Sequence, residues 1–173
     1  MDLHLESWRD FYVMIGTASG AIVGATFVVA TLAGGIEKRT LGLRGFITPT
    51  AVHLGSVLVV SAILSVPTLN AAMLAILLGI GGVAGAIYGI VVIARIASLN
   101  LGIDDWIFYA IAPVVSYAVL AAAALCALSS TELSLNLMAG SLVALLIIGM
   151  RNAWDMATFM ILGGSSSTNQ TDA

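Results

Sequence analysis

Apolar residues in this chain gather into five long blocks, and most polar residues fall in the short stretches between them. Inside a block such as "AAMLAILLGIGGVAGAIYGIVVIA" they neither alternate nor keep to one stripe, so every side is apolar. A strand crossing a membrane alternates polarity over about 10 residues. A helix needs about 20 apolar residues to cross a hydrocarbon core of about 30 Å. The blocks match the helix, and lipid, which offers backbone amides no partner, favours segments that satisfy their own hydrogen bonds. The pattern predicts an all-α integral membrane helical bundle of about five transmembrane helices, over residues 11–32, 50–66, 69–97, 106–128 and 135–162. These form a single domain, 1–162, and the polar stretch "GGSSSTNQTDA" reads as a flexible tail, 163–173.

The boundaries follow from local chemistry. Trp8 and Tyr12 suit the headgroup level at the start of the first span. "GGIEKRTLGLRGF" ends that span, and Thr48 with Pro49 reads as the cap and first turn of the second. "PTLN" allows only a tight hairpin into the third span. After "SLNLGIDD", Asp104 or Asp105 is expected to cap the fourth span at its positive dipole end, and Pro113 to bend it mildly. "SSTELS" reads as the last turn before the fifth span.

Composition agrees with lipid as the solvent: 60% of the 173 residues are hydrophobic and 9% charged, against about 25% charged in a soluble domain. A net charge of −3 supplies no basic patch for nucleic acid. The start "MDLHLESWRD" is acidic where a cleaved signal peptide is basic, so the first span is expected to direct insertion itself. Lys38, Arg39, Arg44, Arg95 and Arg151 fall on one side of a five-span chain and Arg9 on the other. The positive-inside rule then places the N-terminus outside and the C-terminus in the cytoplasm. Cys126, the one cysteine, reads as packing.

Glycines recur every fourth residue in two spans, Gly16, Gly20 and Gly24 in the first and Gly81, Gly85 and Gly89 in the third. Helices in lipid associate by close van der Waals approach, which small residues permit, whereas glycine costs a helix about 1 kcal/mol relative to alanine. These repeats predict glycine-zipper packing, within one chain or between copies in a homo-oligomer.

The remaining signal is polar. His53 stands one turn into the second span with Ser61 and Ser65 along a similar face, a pore-lining stripe or a histidine at the interface with serines bonded to their own helix. Its imidazole could also serve as a pH sensor. Arg151 and Asp155 lie at i and i+4 and can pair across one turn of the fifth span. His53, Arg95, Arg151, Asn152 and Asp155 are thus expected to form a polar cluster at the cytoplasmic side. Such a cluster can lock helices together in a non-catalytic, self-associating protein. It can also be the filter or gate of a small oligomeric channel, or the docking surface of an accessory subunit of a larger membrane complex. An enzyme is not expected: His53 and Ser56 have no visible third member or oxyanion loop, and no pattern of metal ligands or cofactor-binding motif is present. The expected partners are the lipid bilayer, further copies of the chain and another membrane protein.

The segments "WRDFYVMIGTASGAIVGATFVV", "VPTLN", "DDWIFYAIAPVVSYAVL" and "RNAWDM" together resemble a group of small bacterial multi-pass membrane proteins of unknown function. Relatives in that group are sometimes described as modulators of a membrane-anchored protease. The resemblance implies a location in the bacterial cytoplasmic membrane and assigns no catalytic residue.

Overall fold

The computed structural model describes residues 5–33, 40–67, 69–98 and 102–168, and every regular element among them is helical. The elements are α1 (Leu5–Ala33), α2 (Thr40–Leu64), α3 (Ala71–Ile96), α4 (Ile103–Cys126) and α5 (Thr131–Thr168). Four of them contain stretches long and apolar enough to cross a membrane: Ser7–Thr31, Ala71–Ile96, Ile103–Cys126 and Thr131–Thr158. The apolar part of α2, Thr48–Leu64, is shorter. The chain is therefore an all-helical, multi-pass membrane protein by the length and composition of its helices.

Several boundaries differ from the sequence reading. Pro49 lies inside α2, which begins at Thr40, so the segment read as a connection is partly helix. Proline forfeits one hydrogen bond and crowds the preceding turn, and a helix can continue past that. Lys38 and Arg39 lie outside the described residues. Asn70 caps α3: its extended backbone lets the side-chain oxygen accept from the Met73 amide at 2.8 Å. At α4 the N-cap is Gly102, and Asp104 and Asp105 occupy the first turn instead of capping it. There they still face the positive end of the helix dipole. Helix α5 starts at Thr131, so "TELS" is its first turn, and it runs on to Thr168 through part of the stretch read as a tail. Residues 169–173 lie outside the described ones.

Helix α5 is the hub, touching α1, α2 and α4, while α3 joins the bundle mainly along α4. Tyr12 of α1 donates to the Leu135 carbonyl at the start of α5, and Ile22 to Val29 share a groove with Met150 to Ala157 further along. The two helices therefore run parallel, and α1 and α5 begin at the same end of the bundle. Tyr12, Leu54, Tyr117, Leu120, Met138 and Leu142 fill the interior, each almost fully buried.

The two glycine rows do not face each other. A Cβ placed on Gly16 would lie 2.9 Å from the Ser61 Cβ of α2, and one on Gly20 would lie 3.7 Å from Leu58. One on Gly24 would meet nothing within 4 Å. On α3, Gly82 rides on the Ala121 backbone, Gly85 on the Tyr117 ring and Gly89 on Val114, while Gly81 also meets nothing within 4 Å. Each four-residue step overshoots a full helical turn by about 40°. A strict row of fours therefore drifts off a straight contact line, and its end member leaves the interface. The contact line on α3 runs through Gly82, Gly85 and Gly89, steps of three and four.

Serine hydroxyls add ties between helices. Ser19 donates to the Leu54 carbonyl, Ser134 to that of Ala123 and Ser141 to that of Ser116, each at 2.7 Å. Such bonds average about 0.6 kcal/mol in membrane proteins, so their joint effect is to fix register more than to supply stability.

Candidate functional site

The polar groups predicted to cluster are divided between two places. The first lies where the start of α4 meets the later part of α5. Residues Trp106–Ile111 form a π-helical turn, in which the Ala112 amide donates to the carbonyl of Ile107, five residues back. In an α-helix that amide would serve Phe108. The π register hands Phe108 to residue 113 instead, and residue 113 is a proline with no N–H. In the π register the Phe108 carbonyl therefore has no i+5 donor, and the Ala112 amide that would serve it in an α-helix is bonded to Ile107. Asn152 of α5 is fully buried, and its Nδ2 donates to that oxygen at 3.2 Å. The main-chain carbonyl of Asn152 accepts from the Tyr109 hydroxyl at 3.5 Å, the long limit of such a bond, and its side-chain Oδ1 is buried with no partner among the described residues.

Arg151 adds a second tie. Its guanidinium carbon lies 4.0 Å from the centre of the Phe108 ring, within the range of a cation–π contact. Asp155 stands beside it, with Oδ2 3.4 Å from Nη1. The expected pairing across one turn is present, yet it is an ion contact too long or too bent to be a hydrogen bond, and Nη1 is buried without a hydrogen-bond partner among the described residues. The pair lies within α5, so it cannot join helices; Phe108 and Asn152 do that. Asp105, Asp155 and Arg151 all lie within electrostatic reach of the Tyr109 hydroxyl. Arg95 is exposed on the last turn of α3, near the small apolar cluster of Val92, Ile96 and Tyr109.

The second place holds His53. It is buried in the bundle, not at a helix end, and its ring contacts and hydrogen bond go to Tyr117 and Tyr88. Proton bookkeeping orders the chain. Ser56 gives its hydroxyl proton to the Val52 carbonyl at 2.8 Å, so at Tyr117 it must accept, at 3.1 Å. Tyr117 has then spent its one proton, so the contact at 3.0 Å requires His53 to carry a proton on Nδ1 and donate it. Ser65 bonds back to the Ser61 carbonyl, as read from the sequence, while the Ser61 hydroxyl is buried with no partner among the described residues.

Phe108, Tyr109 and Tyr117 are not among the site residues that the sequence suggests, although Phe108 and Tyr109 belong to the aromatic cluster that opens the fourth span. A tyrosine in mid-span is a usable signal, because its buried hydroxyl needs a partner. Phe108 gives none, since its role rests on a main-chain oxygen and a ring face.

Fold and site define a helical membrane protein in which several interior polar groups, Ser19, His53, Tyr117, Ser134, Ser141 and Asn152 among them, are bonded from helix to helix. No family model, no curated protein and no solved structure matches this chain.

Proposed function

We propose that the chain is a non-catalytic membrane protein that crosses the bilayer five times, α2 included, and self-associates. The polar end of α4 and α5 serves to lock those helices together. The observation that carries this reading is the engagement of Asn152 and Arg151 with Phe108, which commits the most polar segment of the interior to structure. His53 and Ser56 support it too: the serine proton is held by Val52 and the histidine faces Tyr117, so the pair is not arranged as base and nucleophile. With Glu132 and Arg151 at the two leaflets, the stretch between them rises about 28 Å, a bilayer core. The charge distribution supports an N-terminus outside and a C-terminus in the cytoplasm, and the resemblance to small bacterial membrane proteins supports the cytoplasmic membrane of a bacterium.

Self-association draws on the exposed small residues of α1, Thr17, Ala21, Gly24 and Ala25, which turn away from α2. Purified protein is expected to show a mass above that of one chain after correction for detergent, and Gly24→Leu to lower it. A single-chain mass for the unaltered protein contradicts this part of the reading. In planar bilayers the same preparation is expected to stay silent at any voltage; sustained conductance would replace the locking role with a pore.

A further inference from the structure

Next to the locked end of α4 and α5 runs a groove of about 450 Å³ lined by Ile107, Ile111, Val115, Ala144, Ile147 and Ile148 among others. Its wall is apolar and open to the surroundings, with Ile111, Val115 and Ile147 each about half exposed. Ile147 and Ile148 lie four and three residues before Arg151, hence on the same face of α5 one turn away. Arg151 therefore stands one turn beyond the groove on that face, with its guanidinium over Phe108, the neighbour of Ile107 in the groove wall, and the groove runs back along α5 for about 10 Å to Ala144.

We propose that this groove and the Arg151–Asp155 pair form a binding site for one phospholipid with a phosphoethanolamine headgroup. An acyl chain lies along the isoleucines, the phosphate meets the open edge of the Arg151 guanidinium, and the primary ammonium meets the Asp155 carboxylate. Both side chains are open enough to be reached, at 29% and 42% exposure. Neither is satisfied by the other, because their contact falls short of a hydrogen bond. Phe108 covers one face of the guanidinium and leaves its edge for a ligand oxygen.

The charges choose the headgroup. Arg151 is the positive group of the cluster, while Asp155 and Asp105 are both negative, so a purely anionic lipid meets more repulsion than attraction. A zwitterion offers each side its complement. A choline headgroup has the same net charge but no N–H to donate to the carboxylate. Basic pockets between membrane helices at the cytoplasmic side are known to hold lipid headgroups; here a carboxylate beside the base narrows the class.

Delipidated protein in detergent, titrated with phosphatidylethanolamine, phosphatidylcholine and phosphatidylglycerol of identical acyl chains, tests the site by native mass spectrometry. The ethanolamine lipid is expected to bind about tenfold more tightly than the choline lipid, the ratio one charge-assisted hydrogen bond gives. Asp155→Asn is expected to bring the two to near parity, and Arg151→Gln to weaken both. Val115→Phe, or Ile147→Trp if the first does not fold, fills the groove without touching the charges and is expected to abolish the adduct. Equal retention of all three lipids overturns the proposal, as does an adduct that survives the filled groove, or a filled groove that alters chain association and leaves lipid binding unchanged. The site rests on the membrane reading but not on self-association: a single-chain protein that keeps the ethanolamine preference would sink only the latter.

Discussion

Glycine in this chain has a meaning set residue by residue by where a Cβ would fall. At Gly85 it would land on the Tyr117 ring, and Tyr117 cannot retreat without breaking its bonds to His53 and Ser56. At Gly81 it would meet nothing. Gly85→Ala is therefore expected to cost about 1–3 kcal/mol, the range for overpacking a filled interior. Gly81→Ala should be neutral or gain up to about 1 kcal/mol from helix propensity. Thermal unfolding of both variants in one detergent checks the contrast, and a loss of equal size at the two positions would refute this account of α3. Sequence spacing put both glycines in one class. Their rotation about the helix axis separated them.

At the scale of elements, the joint between α4 and α5 is a repair. Pro113 and the π turn before it leave a partly buried carbonyl without a donor, and a side chain from another helix supplies one. An unsatisfied buried polar group costs about 1–3 kcal/mol, which sets the expected loss for Asn152→Ala. The origin of the loss has its own signature. Pro113→Ala restores an N–H at residue 113 that can reach Phe108 in the π register, so Asn152→Ala should cost much less in that background. A double-mutant cycle measures the coupling, and additive losses would show that Asn152 acts elsewhere. The sequence announced a disturbance at Pro113, though it pointed to a bend. That the turn widens instead, and that Asn152 lies opposite the freed oxygen, depends on two segments about 40 residues apart meeting in space.

For the whole molecule, the parallel course of α1 and α5 is the main consequence of the topology. Helices that begin at the same end, with three others between them in the chain, place the start of α1 and the end of α5 at opposite ends of the bundle. Reporter fusions at Met1 and after Ala173 are expected to report opposite compartments, the first outside and the second inside. Signals from one compartment would mean that α2 or α5 fails to cross.

Sequence alone determined the helical class and the apolar, membrane-suited character of its segments, though not every helix end. Apolar blocks of spanning length, with few charges, can satisfy their backbones only as helices in lipid, and no contact between segments is needed to reach that result. It also marked where polarity concentrates, at Arg151, Asn152 and Asp155. Tertiary structure decided what each polar group does, because a partner in lipid is chosen by geometry across helices and not by neighbourhood along one. It moved His53 away from the charged end and onto Tyr117, turned Gly24 and Gly81 out of the packing lines, and gave Arg151 an aromatic ring as its partner from another helix. The hydrophobic pattern is a property of each segment taken singly. Rotation, register and pairing arise only when five segments compete for the same interior.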